Sequence, residues 1–286
     1  MQITKDNLTI VIVTIKSKDI IHNCLNSIDP NINKIVIENS SDQHFLDNLK
    51  NNYQNLECYL TGQNLGMGGG NNFGIKKSKN RYVMILNPDT ILKKNTLEEI
   101  FKISKNLNFS ILSPLSDNKE YPNYKIDYSK QQNQGDLIEV DRVDGYAMIL
   151  DTSKFDNFFF DEKIFMYLEN DDLCLRMKKK GEKVFVYKKS LISHLGAKTV
   201  DAKFSLEIEF SRNWHWSWSK FYFRKKHYGY LNSILFNFFP FFKSLVKCFF
   251  YLLLLKKNKF KIYLLRASGF FNSAINKKSW YRPSLD

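Results

Sequence analysis

The feature that most constrains this fold is an alternation. Runs rich in β-branched residues recur roughly every 25 residues, and each is followed by a segment with helical spacing. Leu8–Ile15, Lys34–Asn39, Leu56–Gly62 and Arg81–Leu86 read as strands. Between and after them, residues 19–28, 44–53, 67–79 and 95–107 read as helices, the third opening after a glycine-rich turn and the fourth capped by Asn95 or Thr96. The strands are nearly continuous in apolar residues. Strands buried on both faces have that composition, so the pattern predicts an α/β domain around a mainly parallel sheet.

In such a sheet ligands meet the carboxyl ends of the strands. The residues just past those ends are Thr14 to Lys16, Glu38 to Ser40, Gln63 to Gly66 and Asn87 to Asp89. Asp89 is the notable member: a core strand runs into Asn-Pro and then presents an acid. Farther on, residues 115–136 read as a long polar loop, residues 140–150 as a strand, and residues 160–181 contain a helix stopped by Gly181. Glu169, Asp171 and Asp172 cluster at the start of that helix, where the helix dipole also favours carboxylates. Residues 183–188 form another strand, and His194 lies in the segment after it.

Several chemistries are excluded. Ile75 separates Gly74 from Lys76, which breaks a phosphate-binding Gly-Lys-Ser/Thr loop, and Asn71 stands where a dinucleotide fingerprint needs its third glycine. No Gly-x-Ser-x-Gly elbow and no His-Glu-x-x-His helix is present. The four cysteines show no metal-binding or paired spacing and read as reduced core thiols. The N-terminus lacks a signal-peptide cleavage pattern, which suggests the cytoplasm.

Charge divides the chain. Residues 1–202 carry 27 basic and 26 acidic residues, and residues 203–286 carry 16 and 3. The second part is also aromatic, and Ile234–Leu255 is an apolar run interrupted by Asn237, Pro240, Lys243 and Lys247. A domain over 1–202 followed by a basic helical region over 203–286 fits this division. The region's partner should be an anionic membrane surface, with the helix lying among the headgroups; a bilayer span and a helical subdomain packed on the body are the alternatives. Unbroken Phe and Leu argue against nucleic acid.

Taken together, "TIVIVTIKS", "IVIENSS", "NLGMGGGNNFGIKKSKNRYVMILNPDT" and "FDEKIFMYLENDDLCLRMKKKGEKVFVYKKSLISHLGAKT" resemble, in order, the family-2 inverting glycosyltransferases of the GT-A fold, in particular the rhamnosyltransferase-like branch. The resemblance implies a nucleotide-sugar donor of the UDP or dTDP class (dTDP-rhamnose among them). The acceptor would be a lipid-linked glycan of surface polysaccharide or O-antigen synthesis, met at the inner face of the cell membrane. It makes Asp89 and His194 ligands of Mg²⁺ or Mn²⁺ on the donor diphosphate. Thr14, Glu38, Asn39, Asn64, Gly66 and Asn87 border the donor. Where the family commonly has Glu-Asp followed two residues later by Asp, this chain has Glu169-Asn170-Asp171-Asp172. Asn170 takes the usual base position, so the base becomes Glu169, or else Asp171, with Asp172 positioning the loop or the acceptor. The Gln-x-x-Arg-Trp motif of processive synthases is missing, which points to single-sugar addition. A noncatalytic sugar-nucleotide or carbohydrate binder on the same fold is the alternative that Asn170 supports.

Overall fold

A computed structural model describes residues 1–15, 17–126, 135–196 and 204–283. These residues form two compact units. The first comprises Met1–Asp161 and Asn170–Val200, and the second Glu162–Glu169 and Asp201–Asp286. The expected boundary at residue 202 lies outside the described residues.

The first unit runs β1 (Leu8–Thr14), α1 (Ile21–Asn26), β2 (Asn33–Glu38), α2 (Gln43–Asn52), β3 (Leu56–Leu60), α3 (Gly66–Lys77), β4 (Tyr82–Leu86), β5 (Thr90–Leu92), α4 (Thr96–Ser104), β6 (Ile111–Ser116), β7 (Tyr124–Lys125), β8 (Leu137–Glu139), β9 (Arg142–Val143), β10 (Ala147–Asp151), α5 (Glu169–Lys179) and β11 (Val184–His194). Among the described residues nine strands make one sheet, in the order β3-β2-β1-β4-β10-β6-β11-β5, with β8 paired to β11. The β1–β2, β2–β3, β1–β4 and β6–β11 pairs are parallel. Strand β10 is inserted antiparallel between β4 and β6.

Alternate residues of β1 explain its uninterrupted apolar sequence. Leu8, Ile10 and Ile12 enter a core built with α1, α2 and α4. Val11 and Val13 enter the core on the other face, with Ile75 of α3 and Leu173, Cys174 and Met177 of α5. A strand covered on both faces needs apolar residues at both parities.

The helix expected over residues 67–79 is α3, and its Gly70 and Gly74 face the sheet. A β-carbon at Gly74 would sit 2.3 Å from Val11 Cγ1, and one at Gly70 would sit 2.7 Å from Val13 Cγ1. Their role is close approach of helix to sheet, which helical spacing alone does not show. Asn95 makes no side-chain cap bond to α4; Thr96 Oγ1 instead donates to the carbonyls of Lys93 and Leu191. Gly181 does end α5 in the left-handed region (φ +79°), and Glu182 N donates to the Met177 carbonyl. In the described part of the long polar segment β7 pairs with β9 and Asn123 is buried; residues 127–134 lie outside the described residues.

The second unit contains α6 (Ser205–Tyr228), α7 (Tyr230–Leu253) and α8 (Lys257–Ala274). Gly269 of α8 lies against the backbone of Trp214, where a β-carbon would meet its carbonyl oxygen at 2.3 Å. The segment Glu162–Glu169 joins this unit through Phe165, stacked on His215 at 4.7 Å, and the Met166 carbonyl, which accepts from Ser219 Oγ. Among the described residues α7 is the helix long and apolar enough to cross a membrane. Cys24, Cys58 and Cys174 are buried as expected, whereas Cys248 on α7 is only half-buried.

Candidate active site

The parallel register brings Thr14 level with Glu38 at the carboxyl edge of β1 and β2. Both are buried, and among the described residues Thr14 Oγ1 has no hydrogen-bond partner. Glu38 Oε1 accepts from Ser40 Oγ. Asn39 is committed to the loop beside it. Its Nδ2 donates to Asn64 Oδ1 and the Gly66 carbonyl, and its Oδ1 accepts from Leu65 N and Thr61 Oγ1. Asn64 Oδ1 also accepts from Gly66 N, which starts α3 at φ +76°. Asn39 and Asn64 thus staple the loop that sets the start of α3. Lys16 lies outside the described residues.

At the end of β4 the chain turns through Asn87-Pro88-Asp89. Asn87 N donates to the Tyr146 carbonyl, and Thr90 N donates to the Asn87 carbonyl. Asp89 is 2% exposed, and among the described residues its Oδ1 has no hydrogen-bond partner. A buried carboxylate oxygen without a partner is costly unless something binds it. His194 Nε2 stands 3.3 Å from that oxygen, without the geometry of a hydrogen bond. The histidine is the last residue of β11, because that strand continues six residues beyond the expected Lys188 and pairs Thr90 with His194. Leu195 N donates to the Asp89 carbonyl and locks the two segments together. Tyr146 stacks on the imidazole with centroids 4.0 Å apart and planes 5° from parallel.

Asp144 and Tyr146 belong to this site and were not singled out from the sequence. Burial raises the Asp144 carboxyl above its usual range against the opposing fields of Arg142, His194 and Lys125. Burial pushes the Tyr146 phenol up to about 12. The start of an antiparallel strand lies beside the end of its neighbour, here Ala147 opposite Leu86. A parallel-sheet reading inspects only strand ends, so it overlooks "DGY" at the start of β10.

The acidic cluster opens α5. Asn170 Nδ2 donates to the Val143 carbonyl, and its side chain packs on Gly145, so this amide ties the helix to the loop before β10. Asp171 pairs with Arg142. Asp172, fully buried, binds Arg176 Nε at 2.8 Å. Arg176 in turn donates to the carbonyls of Phe158 and Phe159. Glu169 differs from its neighbours: its Oε2 is shielded and has no hydrogen-bond partner among the described residues. Burial pushes this carboxyl up to about 7, with a smaller opposing effect from a backbone hydrogen bond. It follows Tyr167 and Leu168, both in the left-handed region at φ +69° and +68°, a strained turn of the kind that functional sites retain.

Among the described residues no three His, Cys, Asp or Glu side chains converge as a metal cluster. Asp89 and His194 are the pair on which a metal could rest. An octahedral Mg²⁺ or Mn²⁺ fits such a pair, because these ions keep waters and take substrate phosphate oxygens.

Residues 9–196 match the sequence model of Glycosyl transferase family 2. The low-salt glycan biosynthesis hexosyltransferase Agl10 of Haloferax volcanii is 27% identical over 195 residues, 62% of this chain and 63% of that protein. The rhamnosyltransferase WbbL of Escherichia coli is 28% identical over 204 residues, 60% of this chain and 77% of that protein. Among solved structures, residues 1–349 of S. aureus TarS in complex with UDP match with a TM-score of 0.54 at 13% identity, covering 98% of this chain and 94% of that one. GalNAc-T7 with UDP, GalNAc and Mn²⁺ matches with a TM-score of 0.53 at 14% identity, covering 76% and 49%. At these identities the structures speak to the fold.

Proposed function

The chain belongs to Glycosyl transferase family 2, and on that premise we propose that it moves a sugar from a nucleotide-sugar donor to a hydroxyl of a lipid-linked saccharide, inverting the anomeric carbon. The observation that carries the reading is the buried Asp89 oxygen at the carboxyl edge of β4, which has no hydrogen bond among the described residues and lies 3.3 Å from His194 Nε2. The UDP and Mn²⁺ held by GalNAc-T7 support the same site chemistry. A UDP or dTDP donor fits, and the likeness to a rhamnosyltransferase and a hexosyltransferase supports a hexose or deoxyhexose, dTDP-rhamnose included. Surface glycan or O-antigen assembly on the inner face of the cell membrane is the setting this reading implies.

In this reading Asp89 and His194 hold Mg²⁺ or Mn²⁺. When bound, the metal neutralises charge on the leaving diphosphate. Thr14 and Glu38 border the nucleoside, and Asn87 flanks the diphosphate. Asn39 and Asn64 keep the loop at Gly66 in place for it. Glu169 takes the proton from the attacking hydroxyl, and a carboxyl that titrates near 7 is suited to that work at neutral pH. Asp171 and Asp172 are already paired with Arg142 and Arg176, so they suit positioning better than proton transfer. The long, mostly exposed α7 supports attachment to a membrane surface. A noncatalytic nucleotide-sugar binder is the second reading, favoured by the Asn170 amide at the usual base position.

Purified protein offered UDP-, dTDP- and GDP-sugars with Mg²⁺ or Mn²⁺, with and without membrane lipid extract, should release nucleoside diphosphate from one donor. Release should disappear in Asp89→Ala and in Glu169→Gln. Release that survives Glu169→Gln alone moves the base to Asp171. Metal-dependent nucleotide binding with no turnover of any donor sinks the catalytic reading and leaves the binder.

A further inference from the structure

The three C-terminal helices wall a cleft of about 270 Å³. Lys220 enters it from α6, Lys243 and Lys247 from α7, and Arg266 from α8. Among the described residues no carboxylate lines it. None is near in sequence either: residues 210–285 hold fifteen Lys and Arg and no Asp or Glu. The polar partners observed for these cations are neutral. Lys247 Nζ donates to Tyr263 Oη at 3.1 Å, and Arg266 Nε donates to Asn213 Oδ1. Lys220 lies 5.0 Å from the Phe236 ring centroid. Such partners aim the charged groups but cancel none of the charge. Burial, and then the charge of Arg224, hold the Lys220 ammonium below its usual range. Four like charges gathered in a cleft repel one another unless an anion enters from outside.

The walls indicate where that anion is found. Lys243 and Lys247 are one helical turn apart on α7. Around the helix from them, Leu231, Leu235, Phe239, Phe242, Phe249 and Leu253 form an apolar band, each 57–77% exposed. Ser233, Asn237 and Ser244 are buried on the inward side. An apolar stripe flanked by a cationic cleft matches an amphiphile with an anionic head.

We propose that this cleft binds the phosphate of an anionic membrane phospholipid while α7 rests its apolar band among the acyl chains. The inference rests on the reading that the C-terminal unit meets a membrane, and it turns a general attraction into a defined headgroup site. Lysine ammoniums and a guanidinium around one compact cavity recognise a phosphodiester through charge-assisted hydrogen bonds.

The test is co-sedimentation of the full chain with vesicles of phosphatidylcholine alone or mixed with phosphatidylglycerol, at low and high salt. Two double variants remove the same charge: Lys243→Gln/Lys247→Gln inside the cleft and Lys256→Gln/Lys257→Gln outside it. The cleft pair should weaken binding to the mixed vesicles at least about tenfold more than the outer pair, and the gap should persist at high salt, where diffuse attraction is screened. Lys243→Glu alone, at an exposed position, should reproduce the loss with unchanged helical circular dichroism. Equal losses in the two doubles overturn the site but leave membrane attachment standing. Wild-type protein that ignores both kinds of vesicle overturns both. Inorganic phosphate that competes fully at millimolar concentration overturns the lipid source. Donor turnover in solution should be the same in the cleft variants as in wild type, so a failure here is separable from a failure of the glycosyltransferase reading.

Discussion

Replacing Glu169 with Gln should make the protein more stable and less active, and the gain should depend on pH. In the folded protein burial lifts this carboxyl from 4.5 to about 7. In the unfolded chain it ionises near its ordinary value. Between those two values the folded state holds a proton that the unfolded state has released, so stability falls as pH rises through the window. A shift of this size corresponds to about 3 kcal/mol once the pH exceeds the folded value. Gln keeps the shape and carries no charge. The variant should therefore match wild type near pH 4.5 and exceed it by up to about 3 kcal/mol near pH 8. Urea denaturation of both proteins across that range, followed by circular dichroism, measures the difference directly. Wild-type donor turnover should rise with pH to a plateau above about 7, while the variant stays inactive throughout. A stability difference that is flat in pH would refute the argument, because it would mean the carboxyl titrates normally and was never a poised base.

Three further outcomes are expected. Gly74→Ala should cost about 1–3 kcal/mol in thermal or urea unfolding, because its β-carbon would lie 2.3 Å from Val11 Cγ1 and 3.2 Å from Ile37 Cγ1. Arg176→Met should cost about 3 kcal/mol, since it strips the guanidinium from fully buried Asp172; Arg176→Lys should recover only part of this in the same assay. His215 is fully buried between the Tyr281 carbonyl and Ser279 Oγ, and burial lowers it to about 4. Its unfolded counterpart takes up a proton first on acidification, so stability from this group is lost as pH falls from 6.5 toward 4, and His215→Asn should flatten that part of the urea-midpoint profile.

The sequence by itself determined the layered α/β architecture, because strands buried on both faces require apolar residues at both parities, as at Leu8–Thr14. It also determined that Asn87-Pro88-Asp89 ends a core strand, because proline after such a run stops the ladder and the next acid is left at its edge. Gly181 was legible as a helix stop, since only glycine enters the left-handed region freely. Tertiary structure alone decided the rest. The antiparallel insertion of β10 brought Asp144 and Tyr146 to His194, a long-range pairing that no local pattern encodes. The helix over residues 67–79 was legible, but the reason for Gly70 and Gly74 was not, because that reason is contact with Val11 and Val13, some sixty residues away. At Glu169-Asn170-Asp171-Asp172 the chain offers three acids of similar appearance. Packing separates them: it gives Asp171 and Asp172 cationic partners and leaves a Glu169 oxygen shielded with none. Residue type states which groups can titrate, but the pKa of each depends on desolvation and neighbouring charge, and those exist only once the chain has folded.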